Sequence, residues 1–130
     1  MANKQIVRRL VGEVVNQGRF EVLAELFAPE MVATAREWFG PFRSSFPDVR
    51  MEVVELVAEE DRVVGRFLCS ATHLGEWRGH APTGRRFENV DEVYFFRVAD
   101  GRIVAGWGIE DTLDRFRQLG LAPGSRSDSW

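Results

Sequence analysis

The sequence predicts an α+β domain in which helices come first and an antiparallel sheet follows. Two observations carry this reading. Before residue 46 the apolar residues recur at three- and four-residue spacing, and from residue 49 to residue 110 they alternate. Helices segregated from strands give an α+β layout, not the interleaved pattern of a parallel sheet. At 130 residues the chain makes one domain. A chain of this size buries about two-thirds of its unfolded surface, so it needs no disulfide or metal staple. The domain is expected to span residues 1–121, with the turn-rich APGSRSDSW of residues 122–130 as a flexible tail.

The elements follow in order. Ile6, Val7, Leu10, Val11, Val14 and Val15 mark an amphipathic helix, with Asn3 as N-cap and Gly18 as its stop. Phe20 to Phe27 repeats the pattern through Leu23 and Leu26, and Pro29 ends it. Residues 35–45 read as a third helix, broken or kinked at Gly40-Pro41, because proline removes a backbone donor and crowds the preceding turn. Strands are predicted at 49–59, 62–73, 86–98 and 102–110, with a tight Asp100-Gly101 turn before the last. Pro82, Thr83 and Gly84 mark the turn between the middle strands. Asp111 caps a closing helix containing Leu113, Phe116 and Leu119, and Gly120 stops it.

Composition narrows the function. The net charge is −3, which argues against a nucleic-acid partner. No leader and no run of membrane length is evident, so a soluble cytoplasmic protein with no membrane association is expected. The single cysteine, Cys69, sits in an apolar run and reads as a buried inert thiol. Ten Phe and four Trp build a core, line a pocket for a flat apolar ligand, or do both. Neither His73 nor His80 has acidic or Cys neighbours at metal-ligand spacing, and no metal is expected.

The strand at 86–98 is the place to look for chemistry. One face reads Glu88, Val90, Glu92, Tyr94, Phe96 and the other Asn89, Asp91, Val93, Phe95, Arg97. Each mixes apolar with charged groups, so periodicity does not choose between them. A simple half-buried strand shows one apolar face. A carboxylate is therefore expected to point inward, where burial raises its pKa and suits it to acid–base work. The competing reading is a carboxylate neutralised by an arginine such as Arg66 or Arg86.

Five segments, FAPE at 27–30, FPDV at 46–49, HLGEWRGHAPTGRRF at 73–87, FRVADGRIV at 96–104 and DTLDRFRQLG at 111–120, together resemble the SnoaL-like polyketide cyclases of the nuclear transport factor 2-like superfamily. The resemblance covers residues 4–121. It implies a cone: a strongly curved antiparallel sheet wrapped around helices (a cystatin-like α+β barrel), with a ligand pocket inside and a homodimer on the sheet's outer face. It also breaks the tie on the third strand. Tyr94 falls where such cyclases carry an inward polar residue, often His, and Glu92 then shares its face.

The implied activity is cofactor-free aldol or enolisation chemistry on a small apolar, polycyclic or polyketide-like substrate. Glu92 would be the base, and Tyr94, with His73, the donors. Phe39, Phe42, Phe67, Phe96 and Trp107 would line the pocket, with His80 at its mouth. The chain also departs from the family. Gly108 stands where those enzymes carry an acid–base Asp, Ala33 where they carry an Asn, and the segment 30–46 is shorter. The Arg-x-Asp pair of an epoxide-opening branch is absent. A binding protein without turnover, and an epoxide hydrolase-like or hydroxylation-associated member, remain the alternatives.

Overall fold

A computed structural model describes residues 2–122; the expected tail from residue 123 onward lies outside the described residues. The helices come first: α1 (Asn3–Arg9), continuing as a π-helical segment (Leu10–Val15), then α2 (Leu23–Leu26) and α3 (Val32–Ser45). Four strands follow, β1 (Arg50–Glu59), β2 (Arg62–Thr72), β3 (Arg86–Ala99) and β4 (Arg102–Glu110), and α4 (Thr112–Gln118) closes the chain. The strands form one antiparallel meander in chain order.

Local rules explain most of this. Asp100 and Gly101 both have positive φ, 51° and 75°, the conformation a two-residue hairpin turn requires. The Asp111 side chain accepts from the Asp114 backbone N–H at 3.1 Å and starts α4. Two expectations are corrected. Asn3 is the first residue of α1 and does not cap it; its side chain instead donates to the Glu60 carbonyl. Pro41 lies inside α3, which runs unbroken for 14 residues. Packing of Phe39 and Phe42 against the core outweighs the donor that proline removes.

The helices are fastened to both edges of the sheet. Asn16 pairs with the Met51 backbone through both its oxygen (2.7 Å) and its nitrogen (3.0 Å), imitating a strand partner for β1. Phe27 bridges Ile103 on β4, with the Ala28 N–H donating to the Ile103 carbonyl at 3.0 Å. Register shifts in all three strand pairs mark bulges, which bend a sheet. The apolar stripe Ile6, Val7, Leu10, Val11, Val14 and Val15 is buried against Phe67, Cys69 and Phe96 in one core.

Candidate active site

Between α3 and the inner face of the sheet lies a cavity of about 310 Å³. The π-helical segment supplies Leu10, Val11 and Val15 to its floor. Helix α3 supplies Trp38, Phe39 and Phe42, and the sheet supplies Phe67, Phe96, Glu92, Tyr94 and Glu110. Arg43 also borders it, but its guanidinium is taken up by the Val15 and Pro47 carbonyls.

The inner face of β3 is Phe87, Val90, Glu92, Tyr94, Phe96 and Val98. Glu88, grouped with that face by strict alternation, is exposed. The reason is a bulge: Asn89 has φ of 53°, and the register slips between Cys69 and Ala71 on the partner strand. Glycines then make room for the rings. Gly65 and Gly108 are the two cross-strand neighbours of Tyr94. A Cβ on Gly108 would lie 2.0 Å from the Tyr94 ring, and one on Gly65 would lie 2.4 Å from the Phe67 ring. Tyr94 thus occupies the space a side chain at 108 would need.

Glu92 and Tyr94 meet as the sequence suggested: the Tyr94 hydroxyl donates to Glu92 Oε1 at 2.6 Å. The arginine is neither Arg66, which pairs with Asp91, nor Arg86, which pairs with Asp48 and Glu88. It is Arg115 on α4, fully buried, reaching Glu92 Oε2 and Glu110 Oε1 at once. Its guanidinium lies 4.6 Å from the Phe87 ring centroid and 5.1 Å from that of Phe42. Burial raises the Glu92 pKa; the Arg115 charge, the next largest influence, opposes this. Burial and the neighbouring Glu92 raise the Tyr94 phenol, which stays protonated. Burial works against the Arg115 charge, but the two carboxylates outweigh it and hold the guanidinium charged. Burial also raises the nearby Cys69 thiol and leaves it neutral.

Two expected site residues lie elsewhere, and a third, Trp107, borders the cavity without its ring. His73 is buried outside the cavity lining, with its ring against Phe46 and Trp77. Its Nδ1 accepts from the Thr83 N–H at 3.1 Å, so it ties down the loop at 73–85. His80 packs edge-on against Phe116 and bridges Trp77, away from the cavity mouth. Trp107 borders the cavity, but its ring packs against Phe95 and is 60% exposed. Phe39, Phe42, Phe67 and Phe96 line the cavity. Glu110, Trp38 and Arg115 were missed as site residues.

The His73 environment sets a pH dependence. Burial lowers its pKa below the ordinary 6.5, so the unfolded chain takes up the proton first. The stability tied to neutral His73 is present above pH 6.5 and is lost as pH falls through that value. The stability gap between the wild-type chain and His73→Asn is therefore expected to shrink from pH 7.5 to pH 5.5 in urea unfolding. A gap that widens on acidification would contradict the assignment.

Residues 5–119 match the SnoaL-like polyketide cyclase family. The chain belongs to that family. It is 30% identical over 118 residues to the aklanonic acid methyl ester cyclase DnrD of Streptomyces peucetius, covering 91% of this chain and 79% of the relative. It is 32% identical over 108 residues to the corresponding cyclase AcmA of Streptomyces galilaeus, covering 83% and 72%. Among solved structures, IdmH of Streptomyces antibioticus superposes with a TM-score of 0.81 at 29% identity, covering 93% of this chain and all of that one. The helices inside a curled four-stranded sheet are the nuclear transport factor 2-like fold of this family.

Proposed function

We propose that this SnoaL-like chain catalyses cofactor-free ring closure or enolisation of a small polycyclic polyketide, with Glu92 and Tyr94 as its acid–base pair. The observation that carries this is the 2.6 Å contact between a buried carboxyl and a phenol on the wall of a largely apolar cavity. A carboxyl whose pKa burial has raised keeps its proton more readily than an exposed one, and a phenol beside it can steady a carbonyl oxygen on which charge develops. The relatives' named substrate, aklanonic acid methyl ester, is the first compound to offer. Glu92→Gln and Tyr94→Phe are each expected to cut its turnover by about 100-fold or more while binding persists. Turnover unchanged in both would remove the pair from the mechanism.

One observation favours a binding protein without turnover: both Glu92 oxygens are already engaged, by Tyr94 and by Arg115. Binding of the same ester with no product formed by the wild-type chain would establish that reading instead.

The partner surface belongs to the proposal too. Val57, Val64, Phe95 and Trp107 lie side by side across the outer face of the sheet, and all but Val64 are exposed. Such an apolar row fits a second copy of the chain. Sedimentation should find the wild type at twice its 14.8 kDa mass and Trp107→Glu at the single-chain mass. A wild-type monomer would contradict the pairing. Such an enzyme would work in the cytoplasm; among the described residues no helix is long and apolar enough to cross a membrane.

A further inference from the structure

We infer that Glu110 is the group that removes the carbon-bound proton, which makes the site a two-carboxylate device with Glu92 and Tyr94 as its acid arm. The inference rests on the acid–base reading above and adds a third residue to it. Glu110 faces Glu92 directly across the β3–β4 pair. Its side chain is 30% exposed and borders the cavity, whereas that of Glu92 is 3% exposed. Its Oε1 is held by Arg115, and among the described residues its Oε2 has no hydrogen-bond partner. Glu92 has no such free oxygen, since Tyr94 takes Oε1 and Arg115 takes Oε2. The cavity-lining carboxyl with an oxygen that no partner holds is therefore Glu110.

Charge supports the division of labour. One guanidinium balances only one of two neighbouring carboxylates, and the repulsion of the second negative charge favours a proton on one of the pair. The fully desolvated Glu92 is the better place for that proton, in line with its raised pKa. Gly108 offers no competing base, because the Tyr94 ring fills the space beside it.

The step balances. Glu110 Oε2 takes a proton from the carbon next to one carbonyl, and the freed electron pair forms the new bond to a second carbonyl carbon. The π pair of that carbonyl moves to its oxygen, which takes the Tyr94 proton, and Glu92 restores the proton to Tyr94. Glu110 ends protonated and Glu92 ionised. One proton passing back between the two carboxyls resets the site, and nothing is oxidised, reduced or released.

The test is solvent deuterium exchange into the carbon acid, followed alongside ring closure, with aklanonic acid methyl ester as the probe. Glu110→Gln is expected to lose exchange and closure together, by about 100-fold or more. Tyr94→Phe is expected to keep exchange and lose closure. Glu110→Asp, which restores a carboxylate on a shorter stem, should recover part of the exchange rate, separating lost chemistry from lost folding. Wild-type exchange in Glu110→Gln, with closure still lost in Tyr94→Phe and Glu92→Gln, would overturn the role of Glu110 and leave the pair standing. A wild-type chain that binds the probe yet exchanges nothing would overturn both.

Discussion

Arg115→Met should cost the fold about 3–5 kcal/mol, the penalty for leaving the facing carboxyls Glu92 and Glu110 without their shared cation. The stem of methionine fills much of the space between Phe42 and Phe87, so lost packing is a small part of the effect. What remains is Glu92, 3% exposed, with Tyr94 as its sole donor, and Glu110 opposite it. Urea unfolding of wild type and variant at pH 8 measures the cost. The sign of its pH dependence follows from the direction of the Glu92 shift. A carboxyl whose folded pKa lies above its ordinary 4.5 contributes its stability below that value and loses it as pH rises. Removing Arg115 enlarges that shift, so the variant should lose less at pH 4.5 than at pH 8. A cost below about 1 kcal/mol, of the size seen for exposed pairs, would mean that Arg115 is not what holds the site together.

Gly108→Ala is expected to stop turnover with a smaller loss of stability. The added methyl would sit 2.0 Å from Tyr94 Cδ1 and 2.9 Å from the Val93 carbonyl, distances no relaxed side chain shows. The ring must swing away, and its hydroxyl leaves Glu92. Overpacking of this kind costs about 1–3 kcal/mol, which the fold survives, whereas losing an aligned acid–base group costs about 100-fold in rate. Comparing the turnover of Gly108→Ala with that of Tyr94→Phe settles the cause: the two should fall together. A fully active Gly108→Ala would show that the position of Tyr94 does not matter.

The parts of the molecule readable from sequence are those fixed by neighbours in sequence. The four strands, the Asp100-Gly101 turn and the Asp111 cap depend on periodicity and on single residue types, and the structure keeps them. The inner face of β3 was not readable by strict alternation, because the bulge at Asn89 turns Phe87 and Val90 to the same side. The π-helical segment at Leu10–Val15 left no local signal, although it delivers three side chains to the cavity. Arg115 illustrates the hardest case. An arginine in a short helix reads as solvated, and only the return of α4 beneath β3 buries it between two aromatic rings. His73 misled for a related reason. A histidine at a strand end looks poised for chemistry, but the loop that follows folds back to use its ring as an acceptor.

The most direct test of the acid–base site is a crystal structure of the chain with aklanonic acid methyl ester bound. The account predicts the ester in the cavity beneath α3, a carbonyl oxygen about 3 Å from the Tyr94 hydroxyl, and the carbon acid facing Glu110. An ester bound elsewhere, or seated in the cavity with its carbonyls turned from Tyr94 and the Glu92–Tyr94–Arg115 cluster untouched, would contradict it.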